Sequence, residues 1–262
     1  MALFLPDILI FFIGLCIGSF LNVCIYRLPR ENISVNHPKR SMCPQCSTQL
    51  HYWENIPLIS YVFLMGKCRT CKSPIPIRYP VVELISAFFA LATSLKYGWT
   101  FSGLIYYMLL SSLVVITFVD LDYQIIPNII SLPGIVLGFL ASFFLPEISY
   151  TDSLMGILVG GGLFYSIAYI FMVIRGIEGM GMGDMKLLAM LGAFLGLKGV
   201  VFIIFISSVL GTITGIMVMV HTRSFSFKLK IPYGPFLSIA AMVYIFWGKF
   251  LIFHYVMWLK GY

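Results

Sequence analysis

The sequence predicts an all-α polytopic membrane protein of about eight transmembrane helices, carrying a cytoplasmic zinc-binding loop. Three observations predict it. Of the 262 residues, 60% are hydrophobic and only 10% are charged, with a mean hydropathy of +0.97, which lies outside the usual range of soluble domains. Apolar runs of about 20 residues, the length that crosses a hydrocarbon core about 30 Å thick, recur along the chain. Two Cys-x-x-Cys pairs stand in its one long polar stretch.

Each element follows from the order of these runs. The first, Leu3 to Ile25, is too long for the apolar core of a signal peptide and has no basic segment before it, so 1–26 reads as a retained transmembrane helix. Residues 27–80 form the polar loop, and 81–262 hold the remaining spans. The expected spans lie near 5–26, 81–97, 100–119, 129–146, 153–175, 185–197, 199–220 and 234–258. Pro127, Pro146, Gly176 and Pro232 fall between runs, where helix-breaking residues belong.

The formal charge of +7 raises the question of a nucleic-acid partner, but no basic stripe carries interleaved aromatics, so no nucleic acid is expected. Membrane topology explains the excess better. Arg27, Arg30, Lys39, Arg40, Lys67, Arg69, Lys72 and Arg78 all lie in the first loop, which the positive-inside rule assigns to the cytoplasm. Alternating spans then bring Arg175, Lys186, Arg223, Lys228 and Lys230 to the same side, 13 of the 17 basic residues in all. Lys96, Lys198, Lys249 and Lys260 remain for the outer side or helix ends. Both termini are expected outside.

Within the loop stand Cys43-Pro44-Gln45-Cys46 and Cys68-Arg69-Thr70-Cys71. Each pair can wrap a tight turn around one face of a metal, so four thiolates complete a tetrahedral site without a large core. Disulfides are rare in a reducing cytoplasm. Structural Zn²⁺ is therefore expected, and it would also supply stability that a loop of this size cannot draw from apolar burial. Cys16 and Cys24, inside the first span, read as small apolar residues. Between the pairs, the mixed segment from Trp53 to Tyr61 with Gly66-Lys67 fits a re-entrant or interfacial element and the small core of the zinc module equally well.

An acid at bilayer depth costs several kcal/mol and marks a candidate functional site. Of ten acids, Asp7, Glu147 and Asp152 fall at outer ends, Glu31 and Glu54 in the loop, and Glu178 before a glycine run. Glu83 opens the second span, where it reads as a capping charge. Asp120, Asp122 and Asp184 remain. Asp120 and Asp122 are two apart and do not share a helix face, so only one of them is expected to meet Asp184. Two carboxylates within reach share a proton and divide the acid and base roles that peptide hydrolysis requires. Asp184 lies in Gly179-Met180-Gly181-Met182-Gly183-Asp184-Met185-Lys186, where Gly181 and Gly183 leave room for an extended substrate backbone. No His-Glu-x-x-His is present, and His37, His51, His221 and His254 are scattered. No predicted strand precedes the glycine run, which argues against a nucleotide loop.

With these residues in view, the chain resembles the prepilin peptidases, or type IV leader peptidases, intramembrane aspartic proteases with a Gly-x-Gly-Asp motif. The resemblance rests on an ordered series. Gly18-Ser19-Phe20-Leu21-Asn22-Val23 with Arg27-Leu28-Pro29 comes first, followed by the two cysteine pairs around Asn55-Ile56-Pro57. Arg78-Tyr79-Pro80 with Val82-Glu83-Leu84, Gly181 to Lys186, and Pro232-Tyr233-Gly234-Pro235-Phe236 complete it. The resemblance implies that Asp120 and Asp184 are the catalytic pair, with Asp122, Gly181, Gly183 and Lys186 in support. It implies type IV prepilins or pseudopilins as substrates, their basic leaders cut after a glycine on the cytoplasmic face of the inner membrane. It also implies N-methylation of the new terminus from S-adenosylmethionine, a function tied to the zinc loop and to Gly66. Asn128 departs from the pattern, an acid often following the proline; little effect on cleavage is expected. The competing expectations are a peptidase without methyl transfer, and a membrane transporter or scaffold with a zinc docking loop. The oligomeric state is left open.

Overall fold

The computed structural model describes residues 4–30, 34–35, 40–175, 181–222 and 231–259. Glu31, His37, Lys39, Gly176, Glu178, Gly179, Met180, Arg223, Lys228, Lys230 and Lys260, which enter the reading above, lie outside the described residues. Within them the chain is almost wholly helical: α1 (Phe4–Arg27), a short α2 (Ile59–Phe63), α3 (Arg78–Tyr97), α4 (Phe101–Tyr123), α5 (Asn128–Ala141), α6 (Tyr150–Ile157), α7 (Phe164–Arg175), α8 (Met182–Thr222) and α9 (Gly234–Leu259). Only isolated β-bridges, Met42 with Gln49 and Lys67 with Pro74, interrupt this among the described residues. The polytopic helical expectation is borne out. Among the described residues six segments are long and apolar enough to cross a membrane, and α5 is a shorter apolar helix.

Two features reconcile this count with eight. Residues 182–222 are two helices joined at Gly196, which leaves the helical region at φ 69° and ψ −177°. An L side chain is disfavoured at that φ, so glycine makes the break between the expected sixth and seventh spans. The expected span 129–146 also stops early. The 14 residues of α5 give about 21 Å of rise, short of the roughly 30 Å core. Leucine-rich hydropathy through Phe144 hid that end.

The chain divides into two compact units, Met1–Val119 and Asp120–Tyr262, the division falling within the last turn of α4. In the first, α1 and α3 pack through small residues. A Cβ on Gly14 would stand 2.6 Å from Ala87 Cα, and one on Gly18 would stand 2.6 Å from Glu83 Cα. Such close backbone approach is how helices associate where lipid removes a hydrophobic driving force. At the end of α1 the buried Arg27 donates from Nη1 to the Val35 carbonyl at 2.8 Å, tying the loop to the helix end.

In the second unit, α6 crosses the first limb of α8 glycine on glycine: a Cβ on Gly156 would lie 2.4 Å from the Gly192 carbonyl oxygen. Buried Ser153 Oγ donates to the Ala193 carbonyl at 2.7 Å in the same crossing. Leu158–Leu163 widens into a π-helical turn between α6 and α7, setting Gly160 and Gly161 against α8. The second limb of α8 meets α9, with Tyr233 bonded to Ser207 hydroxyl to hydroxyl at 2.9 Å.

Candidate functional site

The carboxylates come from helix ends. Asp120 sits in the last turn of α4, which Gln124 closes in the left-handed region (φ 54°) with its N–H on the Asp120 carbonyl at 2.9 Å. The Asp120 side chain is buried, 5% exposed, and its Oδ2 accepts the Gly234 N–H at 2.9 Å. Gly234 is the first residue of α9. Its N–H is one of the donors a helix start leaves without an internal partner, at the end where the helix dipole favours an anion. A Cβ at Gly234 would stand 2.7 Å from Asp120 Oδ2, so glycine there is what allows the carboxylate its place.

Asp184 lies in the first turn of α8, half-buried, with its N–H on the Gly181 carbonyl at 3.1 Å. It stands within electrostatic reach of Asp120. The two carboxylates thus lie in one compact unit, Asp120 bonded at the start of α9 and Asp184 in the first turn of α8.

The other sequence-derived residues divide by position. Asp122 is exposed, on a different face of α4 from buried Asp120, as the two-residue spacing requires. Gly183 packs against Ile126, whose Cβ would be 3.1 Å from an added methyl, and so holds the start of α8 on the segment leading into α5. Exposed Gly181 has only the Asp184 carboxyl near an added Cβ, with Oδ2 at 3.1 Å. Lys186 Nζ donates to Asn128 Oδ1 at 3.0 Å. Asn128 therefore offers its amide oxygen to the lysine where an acid often stands. Sequence reasoning missed Gly234 as a participant. Its signal was its place in Pro232-Tyr233-Gly234-Pro235-Phe236, but a glycine between two prolines at a helix start reads first as a turn.

The cysteines form the second cluster. Their four Sγ atoms all lie within 4.8 Å of one another, and Cys43 and Cys71 are 3.8 Å apart. All four are free thiols. Tetrahedral Zn–S bonds of about 2.3 Å imply sulfur separations near 3.8 Å, so the arrangement fits a metal. It is built by one turn used twice. Cys43 N–H bonds the Thr48 carbonyl at 3.0 Å and Ser47 N–H the Cys43 carbonyl at 2.9 Å. Cys68 N–H bonds the Ser73 carbonyl at 2.8 Å and Lys72 N–H the Cys68 carbonyl at 3.0 Å. Ser47 and Lys72 take the matching left-handed positions, at φ 56° and 60°. Hydrogen bonds from the Ser73 hydroxyl and backbone hold the Cys71 thiol down at about 6, so it meets a cation as thiolate at neutral pH.

An acid fills the space beside the knuckles. Glu54 is 8% exposed, with Oε2 accepting the His51 N–H at 2.6 Å and Oε1 3.2 Å from Arg69 Nε. Within the segment Trp53, Ile56 and Ile59 are 48%, 42% and 46% exposed, so they do not form the small core that was one of the two expectations for it. Gly66, at φ 66°, turns the chain into the second knuckle beneath Tyr61, whose hydroxyl would be 3.0 Å from an added Cβ.

Glu83 corrects another expectation. Because α3 begins at Arg78, Glu83 lies beyond its first turn and does not cap it. Its Oε2 accepts the Leu58 N–H at 2.9 Å instead, at the start of α2.

Comparison with known proteins places these residues in a lineage. The model of the bacterial peptidase A24 N-terminal domain matches residues 12–97, and that of the type IV leader peptidase family matches 107–216. A prepilin leader peptidase/N-methyltransferase of Pseudomonas putida is 36% identical over 256 residues, covering 90% of this chain and 88% of that protein. Proteins of the same name from Pseudomonas aeruginosa and Aeromonas hydrophila are each 37% identical, over 257 and 265 residues; they cover 90% and 92% of this chain, which covers 88% and 90% of them. No solved structure matches the chain.

Proposed function

Because the chain belongs to the type IV leader peptidase family, we propose that it removes the leader of type IV prepilins or pseudopilins with Asp120 and Asp184, and then methylates the new N-terminus. One observation supports the assignment of the pair: buried Asp120 of α4, held by the Gly234 N–H, and half-buried Asp184 of α8 lie within electrostatic reach of each other in one compact unit.

The chemistry follows from two acids sharing one proton. The ionised carboxylate takes a proton from water as its oxygen attacks the scissile carbonyl carbon. The protonated one donates to the carbonyl oxygen, and collapse of the tetrahedral intermediate breaks the C–N bond as the departing nitrogen is protonated. Gly181 leaves the approach to Asp184 free of a side chain of its own, as an extended backbone requires, while Gly183 lets the start of α8 seat on Ile126. Lys186, held by Asn128, and exposed Asp122 act from beside the pair.

The four cysteines hold structural Zn²⁺, and S-adenosylmethionine, when bound, supplies the methyl group for the new amine. Gly66 serves that second activity by setting the turn that seats Cys68 and Cys71. The protein is a multi-pass component of the cell (inner) membrane. The first loop and both aspartates face the cytoplasm and the termini face outside, as the basic residues of that loop favour.

Incubating the reconstituted protein with a prepilin and labelled S-adenosylmethionine tests both activities together. Leader release and label on the mature N-terminus are expected. Intact prepilin after full incubation would overturn the peptidase assignment, and release without label would overturn methyl transfer.

A further inference from the structure

The loop segment between the cysteine pairs lies deeper than a soluble loop should. Glu83 is five residues inside α3 from Arg78, about 7 Å along the axis, and it holds the Leu58 N–H. Pro57 and Asn55 line a cavity of about 260 Å³ with Cys16, Ser19, Phe20 and Val23 of α1. Ser19 is eight residues, about 12 Å, inward from Arg27 at the end of that helix. Arg27 and Arg78 end two adjacent candidate spans on the same side, so the turn at Pro57 and Leu58 lies inside the ends of both.

The segment is made to tolerate that depth. Irregular backbone survives there only where its polar groups are bonded and it is covered by protein or lines a cavity. Leu58 bonds Glu83, and the N–H groups of Ser60, Val62 and Gly66 bond the carbonyls of Ile56, Leu58 and Tyr61 at 3.1, 3.0 and 2.9 Å. The Ser60 hydroxyl also turns back onto the Ile56 carbonyl, at 2.7 Å. Ile59, Val62 and Phe63 share one face of α2, and all three are exposed. The flanks have the chemistry of a membrane boundary. Exposed Tyr52 and Trp53 stand before the segment, and exposed Lys67, Arg69 and Lys72 after it.

We propose that Ile56–Gly66 is a re-entrant element whose α2 face is immersed in phospholipid acyl chains, with buried Glu83 as the pin that holds it at that depth. Glu83 thus has a positioning role in the first unit. The inference does not depend on the assignment of the catalytic pair.

The full chain carrying Phe63→Trp, reconstituted in vesicles of acyl-chain-brominated phosphatidylcholine and phosphatidylglycerol, tests it. Fluorescence is compared with the unsubstituted chain and with Thr70→Trp at the exposed second knuckle. The added Phe63→Trp emission is expected to be blue-shifted and largely lost to bromine, while the Thr70→Trp emission is retained. Val62→Trp, on the same face, should behave like Phe63→Trp and serves if that variant does not fold. Adding Glu83→Leu to either should restore the emission, whereas Glu83→Gln, which keeps an acceptor oxygen, should not. Emission from both face positions that escapes quenching as Thr70→Trp does would overturn the proposal. Shielding by added prepilin, in place of lipid, would overturn it in favour of a protein-docking face.

Discussion

The thiol cluster is built from two copies of one turn, each spanning about half a dozen residues, whereas the carboxylate pair draws Asp120 and Asp184 from helices 64 positions apart. The sulfurs are placed by hydrogen bonds that each knuckle makes to itself. Asp120 depends on the end of α4 and on the start of α9, through Gly234. Asp184 depends on the start of α8, held down by Gly183 against Ile126. A cluster assembled locally can be lost without disturbing distant helices, while a pair assembled by tertiary packing responds to changes in residues that never touch substrate. The two sites should therefore fail separately.

The largest effect tests the pair. Asp120→Asn and Asp184→Asn should each lower leader cleavage by about a thousandfold or more, since one acid–base partner is lost. Circular dichroism and gel-filtration profiles should stay unchanged, and full cleavage by either variant would remove it from the catalytic role. Next comes the cluster. Cys43→Ser or Cys68→Ser should abolish stoichiometric metal and methyl transfer, structural zinc being worth on the order of 10 kcal/mol to small modules. Cleavage should stay within about threefold, as expected of independent sites. Parallel loss of both activities would contradict the separation drawn here. Metal content should also fall on acidification, because protons compete with the metal for the thiolates.

Gly234→Ala sharpens the tertiary side of the comparison. The new methyl would crowd Asp120 Oδ2, at 2.7 Å, so cleavage should fall about ten- to a hundredfold with methyl transfer to a precleaved pilin retained. Gly66→Ala is its local counterpart. Forcing alanine to φ 66° under Tyr61 should cost about 1–2 kcal/mol in the knuckle, read as easier metal loss to a chelator, with cleavage unaffected. Asp122→Asn should do least, within about twofold of the unsubstituted rate, because it is exposed on a different face of α4 from Asp120.

The four-cysteine cluster was legible because its information is local: each Cys-x-x-Cys spacing brings two thiols to one face of a turn. The candidate acids were legible too, since a charge among apolar residues is conspicuous. The choice between Asp120 and Asp122 came from family resemblance, and the burial of the first and exposure of the second accord with it. Span ends were read less well. Hydropathy continues through Phe144 although α5 stops at Ala141, because an apolar side chain is equally content in a helix and in the turn that follows it.

By itself the sequence determined the membrane class, the helical composition and the metal-ligand set, all of which follow from residue type and short-range spacing. Only the tertiary structure decided that Gly234 donates to Asp120, that Glu83 holds the start of α2, and that the apolar residues between the knuckles face outward. Each of those outcomes joins groups at least 25 residues apart or concerns which side of a segment is covered. Hydrogen-bond partners and burial at that range are fixed by how the helices pack, and periodicity along the chain carries no record of it.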